Sequence, residues 1–421
     1  MFKCRELTGR LSKVNREPQS AGAAVLAGVP SRPRAVLRSL ARPGRPRLAW
    51  CSQAHGPSIA TVGGDHADLG EPALLARARS GSEDAYRELV EVHRAELHAH
   101  CYRILGSVQD ADDAVQDALL RAWRGLAGFE GRSSLRSWLY KIATNAALDV
   151  AQRRSRRELP MTHGPCAGSG EGPGVALLEP VWVEPYPDQA FGVQAGFASP
   201  EAQYERRESL ELAFVAALQY LPPLQRAVLI LREVLGFSGK ETADLLGTTV
   251  PAVQSALQRG RAVARDRIPG RSQQAALRTL GDKRLQELVR HYCDAIERGD
   301  AEAVAAMLTE DAVWAMPPVV TWYRGRPAIA GFLQDYGFNE AWRHIATRAS
   351  GQLAMGCYTF EPRQRCWVPS VLRVLKLDGD RIAEVTDFVT AELLSRWGQE
   401  DDRFVGVTAF PRFGLPAVLP G

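Results

Sequence analysis

The residue types best suited to chemistry in this chain lie on one short stretch, where Pro251, Gln254, Ser255, Gln258, Arg259, Arg261 and Arg265 alternate with Val253, Ala256, Leu257 and Gly260. Apolar residues at three- and four-residue steps turn one side of a helix towards a core, which leaves the first set outside. Amide, hydroxyl and guanidinium groups presented this way donate hydrogen bonds to base edges and phosphates. A shorter apolar set, Ala243, Leu245 and Leu246, precedes it, with Gly247 placed to make the turn. Thr249 stands where a helix cap belongs. Pro251 in the first turn of the second helix wastes no donor, because that N–H has no intrahelical partner. Phe237 to Arg265 is therefore predicted to be a helix-turn-helix with a DNA-reading face.

A second basic constellation spans Arg132 to Arg157, where Arg132, Arg136, Lys141, Arg153, Arg154, Arg156 and Arg157 face the single acid Asp149. Trp138, Tyr140 and Asn145 interleave with them, and the preceding loop offers Phe129 and Ser133. This mixture suits stacking and hydrogen bonding to unpaired bases, although a charge run is also the ordinary solvated face of a helix. Asp110, Asp112, Asp113 and Asp117 cluster at another helix start. There, carboxylates complement the helix dipole and leave a polar face for a basic partner, a more economical reading than a metal site. His93, His98, His100 and Cys101 do not share one helix face, so they do not converge for tetrahedral ligation. Cys101 is expected in the core and the histidines at the surface or its boundary. No metal and no cofactor is expected.

The elements that must position these groups follow from the pattern along the chain. Its 421 residues suggest two to four domains, and the net charge of +4 is mild, so any nucleic-acid footprint must be local. Cys4, Cys51, Cys101, Cys166, Cys293, Cys357 and Cys366 are odd in number and lack a C-x-x-C pair. That argues against a disulfide framework or zinc ribbon and fits a reducing cytoplasm. No apolar run approaches the ~20 residues of a membrane span, and the arginine-rich N-terminus lacks the apolar stretch of a secretion signal. Residues 1–70, rich in Pro, Gly, Arg and Ser, are expected to be a disordered basic extension. Residues 71–157 read as an all-helical domain. Residues 158–199 read as a linker containing Glu179-Pro-Val-Trp-Val-Glu-Pro-Tyr-Pro-Asp188, and 200–269 as a second helical domain.

After a short bridge, residues 282–398 become α+β. Two helices (283–298 and 301–308) precede alternating segments at 311–316, 343–349, 353–360, 368–377 and 381–389, with Asp378-Gly379-Asp380 as a hairpin turn. Residues 399–421 are a tail. The expected fold class is multidomain: two all-α domains, the second with the helix-turn-helix, followed by an α+β domain.

The order of parts carries a resemblance. Asp110-Ala-Asp-Asp-Ala-Val-Gln-Asp-Ala-Leu-Leu-Arg-Ala-Trp123, then Phe129-Glu-Gly-Arg-Ser-Ser-Leu-Arg-Ser-Trp138, then Leu221-Pro-Pro-Leu-Gln-Arg-Ala-Val-Leu229 before the helix-turn-helix resembles bacterial sigma-70-type factors of the extracytoplasmic-function class. The likeness covers 71–269. It implies a promoter-specificity subunit of RNA polymerase whose partners are promoter DNA, the β′ clamp helices and the β flap. Asp110, Asp113, Gln116 and Asp117 then match the core-binding segment. Arg132, Ser133, Arg136, Trp138, Lys141, Asn145 and Arg153 match the −10 segment, and Pro251, Gln254, Ser255, Gln258, Arg259 and Arg261 the −35 helix.

Residues 282–398 resemble the SnoaL-like (NTF2-like) fold through Asp294-Ala-Ile-Glu-Arg-Gly-Asp-Ala-Glu-Ala-Val304 and Trp322-Tyr-Arg-Gly-Arg-Pro-Ala-Ile329, and the linker piece resembles the sigma subgroup that carries such a tail. The Asp-Gly-Gly-Gly-Lys motif of another SnoaL-tailed subgroup is absent. Trp314, Trp322, Tyr323, Phe332 and Trp342 either line a small-molecule pocket or form core. His344 and Asp387 are an alternative acid/base pair; the expectation is a regulatory tail without catalysis. Taken alone, the helix-turn-helix would equally suit a repressor that works without polymerase.

Overall fold

The computed structural model describes residues 70–168, 170–177, 182–189, 207–268, 272–399 and 410–421, so the basic extension expected over 1–70 falls, except for Gly70, outside them. The first bundle comprises α1 (Glu71–Arg79), α2 (Glu83–Leu105), α3 (Val108–Gly125) and α4 (Leu135–Arg153). Serine hydroxyls start three of them. Ser82, Ser107 and Ser134 accept the N–H of Ala85, Asp110 and Ser137, satisfying donors that have no partner inside the helix. Leu89, Leu97, Cys101, Leu105, Val115, Leu119 and Leu139 are buried, so α2, α3 and α4 close on one core. The histidines depart from expectation: His98 and His100 are buried. Burial pushes the His100 imidazole down to about 3, which keeps it neutral beside Thr144 at 2.8 Å.

The second bundle holds α5 (Leu212–Gln219), α6 (Pro223–Leu229), a π turn at Ile230–Val234, α7 (Gly239–Leu246) and α8 (Val250–Arg267). The short bridge beyond it contains α9 (Gln273–Leu280). Gln273 exchanges hydrogen bonds with both the N–H and the carbonyl of Leu377, which pins that helix to the sheet of the C-terminal part.

In the C-terminal part, α10 (Asp282–Glu297), α11 (Ala301–Met307) and α12 (Arg326–Phe332) pack on a sheet of β1 (Leu308–Ala315), β2 (Trp322–Arg324), β3 (Trp342–Ala349), β4 (Gln352–Glu361), β5 (Cys366–Asp378) and β6 (Arg381–Val389), followed by α13 (Ala391–Arg396). The strand order is β2-β1-β6-β5-β4-β3, antiparallel except for β1 beside β6, and the Asp378↔Arg381 register closes the expected hairpin. β4 is buried on both faces. Leu353, Met355 and Cys357 point to the core beneath α10 and α11, whereas Ala354 and Tyr358 join the core of the helical bundles. β5 repeats this, with Val371 and Leu375 on one side and Leu372 and Val374 on the other. Period-2 alternation thus sorts residues between two apolar cores rather than between core and water.

The expected linker is built into the molecule. Trp182, Val183 and Tyr186 are buried, and the Tyr102 hydroxyl donates to the Glu184 carbonyl at 2.7 Å. Glu184 accepts from the Ser107 hydroxyl and the Val108 N–H, both at 2.8 Å, and so caps α3 from a distant part of the chain. Further on, Tyr186 and Ser350 exchange backbone and hydroxyl hydrogen bonds, and the Gly351 N–H donates to Asp188. This strap therefore ties the first bundle to the β3–β4 turn.

Candidate nucleic-acid interface

The helix-turn-helix forms as its sequence dictates. Ser238 and Glu241 make a reciprocal capping box at the start of α7, Gly247 takes the left-handed conformation at φ 61°, and the Thr249 hydroxyl accepts from the Ala252 N–H. Val253, Ala256, Leu257 and Gly260 are buried, and Gly260 lies against Leu229 of α6. Pro251, Gln254, Ser255, Gln258, Arg259, Arg261 and Arg265 are exposed. Three of them have internal partners: Arg259 donates to Ser255 at 2.7 Å, and Arg261 pairs with Glu233. Gln254 and Gln258, one turn apart, sit with Arg259 on the open face.

On α4 the expected set divides. Lys141 and Asn145, four residues apart, are exposed, as are Arg132 and Ser133 in the preceding loop and Arg153 at the helix end. Trp138 is half-buried, with its ring 5.0 Å from that of Phe129. Arg136 stands apart from the others. It lies on the other side of the helix, paired with Glu96 at 2.9 Å and stacked on Tyr140. Burial pushes the Glu96 carboxyl up, but its hydrogen bonds with His93 and Arg136 together hold it below its usual range.

The acidic set on α3 divides likewise. Asp113 and Gln116 are exposed, and Asp117 pairs with Arg121 at 2.6 Å. Asp110 is instead buried, with Arg157 at 2.6 Å and Arg154 at 3.4 Å, so in this arrangement its charge closes the C-terminal end of α4 rather than facing a partner. Leu120, 50% exposed, extends the row of Asp113, Gln116 and Asp117 by one turn. Its signal was present in the sequence as an apolar residue on a polar face.

Known proteins match the same three blocks. The Sigma-70 region 2 family matches residues 89–157, Sigma-70 region 4 matches 211–262, and the SnoaL-like domain matches 289–385. The ECF RNA polymerase sigma factor SigG of Mycobacterium tuberculosis is 39% identical over 333 residues, covering 78% of this chain and 83% of that protein. The chain belongs to the ECF RNA polymerase sigma factors. SigM of the same organism is 31% identical over 52% of this chain and 90% of its own length. The crystal structure of the M. tuberculosis ECF sigma factor SigJ aligns with 73% of this chain and 97% of its own, at 20% identity and a TM-score of 0.46. Directing RNA polymerase to promoters is thus the activity to which the geometry must answer.

In this sigma factor, regions 2 and 4 are packed against each other. Arg226 of α6 donates to the Ile104 carbonyl at the end of α2, and Arg103 donates to Ser209 at 3.0 Å. The Phe237 ring, just before α7, meets Tyr140 at 5.4 Å and the Arg136 guanidinium at 5.7 Å. Helix α4 of region 2 and helix α8 of region 4 are therefore parts of one closed assembly. The C-terminal segment completes it: Phe410, Phe413 and Leu415 are buried, and Arg412 pairs with Asp112 of α3 at 2.8 Å. Asp112 also accepts His98 at 3.1 Å.

The aromatic residues of the SnoaL-like domain are packed, and two of them reach the segment after region 2: Trp322 donates to the Gly164 carbonyl and Tyr323 to the Glu171 carbonyl, both at 2.9 Å. Trp314, Trp322, Tyr323 and Phe332 are buried, Tyr323 stacks on Phe332 at 4.5 Å, and Trp342 is half-buried against the same core. His344 and Asp387 do not pair with each other. Arg373 holds Asp387 through two contacts of 2.6 and 2.8 Å and Trp314 donates to it at 3.1 Å, whereas His344 faces Glu297 at 3.1 Å. Among the described residues, no His, Cys, Asp and Glu group converges for a metal, and no helix is long and apolar enough to cross a membrane.

The joint between region 4 and the SnoaL-like domain holds a buried carboxyl. Glu211, buried at the start of α5, accepts the Gln274 N–H, yet burial and the nearby Glu208 push its carboxyl up to about 7 despite that bond and Lys376. Asp188 on the strap is pushed up to about 6, also by burial, against Gly351, Arg207 and Arg348. A carboxyl raised in the folded state binds its proton more readily there than when unfolded. Its stabilising contribution is therefore full below the unfolded value, ~4, and is lost as pH rises through the folded one. Glu211→Gln, which resembles the protonated group, is expected to stabilise the protein at pH 8 by ~2 kcal/mol and by less than half as much at pH 5.5. Melting curves at both pH values check this, and an equal effect at the two would refute it.

Proposed function

We propose that Gln254, Ser255, Gln258 and Arg259 of α8 read the −35 element, with Pro251 and Arg261 at the edges of the contact. Arg132, Ser133, Trp138, Lys141, Asn145 and Arg153 engage the −10 strand. Asp113, Gln116, Asp117 and Leu120 on α3 meet the β′ clamp helices of polymerase, and region 4 meets the β flap. The observation that carries this reading is that the polar residues of α8 are all exposed while Val253, Ala256, Leu257, Gly260 and Ala264 are buried on its other side. Strand opening is driven by binding to unpaired bases, without a covalent step by this chain. In the SnoaL-like domain, the Arg373–Asp387 contact occupies the carboxylate that an acid/base pair would require.

The closed packing of regions 2 and 4 is the resting form of this reading. The SnoaL-like domain, the strap and the C-terminal segment hold it, and polymerase binding releases the two promoter-reading helices. Purified chain mixed with core polymerase should yield promoter-dependent transcripts. Duplex binding without transcripts would instead indicate a repressor. Arg259→Ala is expected to reduce transcription from a cognate promoter roughly tenfold, from the ~1–3 kcal/mol of one base contact, with core association intact. Loss of core association in that variant would contradict the role given to α8.

A further inference from the structure

Where region 2 ends and region 4 begins, the chain forms an open pocket of about 290 Å³. Its walls come from both regions: Asp110, Arg154 and Arg156 on one side, Tyr220, Pro222 and Arg226 on the other. Arg226 is only 6% exposed, and its guanidinium meets neutral oxygens alone, namely the carbonyls of Ile104, Gln219 and Leu221 and the Gln219 amide. Its Nε has no partner, and burial pushes the group down to about 10 with no carboxylate to oppose the shift. A buried cation without a counter-ion carries a desolvation penalty that an anion beside it would offset. The other lining charges do not supply one. Asp110 is already held by Arg157 at 2.6 Å and reaches Arg154 only at 3.4 Å. Arg156, although paired with Glu158, adds a further guanidinium that stacks on the Tyr220 ring at 4.4 Å, as Arg267 does at 3.7 Å. The lining thus sets three guanidiniums against one carboxylate.

We propose that this pocket binds a phosphate-bearing small molecule of nucleotide size, with Arg154 and Arg156 on its phosphates and the buried charge of Arg226 behind them, and that the ligand clamps regions 2 and 4 together. Guanidinium forks match phosphate oxygens in pairs, and the volume lies at the lower end of small-molecule sites, ~300 Å³. Because the walls belong to two regions, the site is complete only in the closed arrangement, so a ligand there shifts the population towards it. The site itself stands on the geometry; its effect on transcription rests on the closed form being the resting one.

The test is thermal melting of the full chain with guanosine diphosphate and with inorganic pyrophosphate, at matched ionic strength. Well above the dissociation constant, the melting temperature is expected to rise by about 4 °C. The rise, measured against each variant's own melting temperature without probe, should vanish in the Arg154→Ala/Arg156→Ala double variant, whose two side chains are half exposed, and persist in Arg87→Ala on a remote face. Equal rises with both probes assign recognition to the phosphates, and a larger rise with the nucleotide adds the nucleoside; both support the site. No rise with either probe at millimolar concentration, or the same rise in the double variant, overturns it. Transcription with core polymerase separates the two ideas: a probe that raises melting yet leaves transcript yield unchanged keeps the site and overturns the clamp.

Discussion

Removing residues 410–421 is expected to raise transcription by this sigma factor at limiting core polymerase by tenfold or more. The segment buries Phe410, Phe413 and Leu415 in the core shared by region 2, region 4 and the outer sheet face. Its carbonyls at Phe413 and Pro416 accept the hydroxyls of Thr347 and Tyr358 at 2.6 and 2.8 Å, and β7 (Leu419–Pro420) pairs with β5. Burying three such side chains contributes ~6 kcal/mol, of which roughly half is offset by ordering the chain. The ~3 kcal/mol that remains would shift a closed-to-open equilibrium by about a hundredfold. The exposed Arg412–Asp112 pair adds little by itself, since both partners stay wet. Gly356 shows how close the fit is: a Cβ there would come within 2.6 Å of Leu415. Transcript yield against core concentration, with small-angle scattering as a measure of compactness, checks the expectation. Unchanged yield together with unchanged compactness would remove the segment from the regulatory account.

Asp387→Leu is expected to destabilise the SnoaL-like domain by about 3–5 kcal/mol, because it strands the Arg373 guanidinium in the core. Arg373 is 4% exposed, its Nη1 already lacks a partner, and Asp387 is what holds its charge well above the ordinary range against burial. Asp387→Asn keeps the shape and the hydrogen-bond acceptor, so a smaller loss is expected there. Chemical denaturation of the three proteins checks the order. Wild-type stability in the Leu variant would mean that the pair is not a structural bolt and would reopen Asp387 for other work.

Much of the interface was legible in the sequence because its causes are local. The capping residues Ser82, Ser107, Ser134 and Thr249 act on an N–H three residues away, and Gly247 meets a conformational demand of its own backbone. The pairings of Arg136 and Asp110 were not legible for the opposite reason. Each sits beside residues assigned to binding, but its partner, Glu96 or Arg157, lies 40 or 47 positions away along the chain. Charge runs show that guanidiniums and carboxylates are present, not which of them face each other. The bridge helix α9 was missed because its buried positions include Gln273 and Gln274, polar residues that carry no hydrophobic period and are satisfied only by the sheet.

The sequence by itself determined the three blocks, the helix-turn-helix and which residues of α8 face outwards, since apolar periodicity over one or two turns decides which side of a helix is buried. Only the tertiary structure decided what covers each apolar face. Leu353 to Tyr358 offers apolar residues on both sides of a strand, and nothing within that strand says that one side meets α10 while the other meets a sigma region more than a hundred residues earlier. The same holds for Glu184 capping α3 and for Phe237 against Tyr140. Hydrophobic burial is non-directional, so sequence pattern identifies a face that must be covered, and long-range packing alone selects its partner.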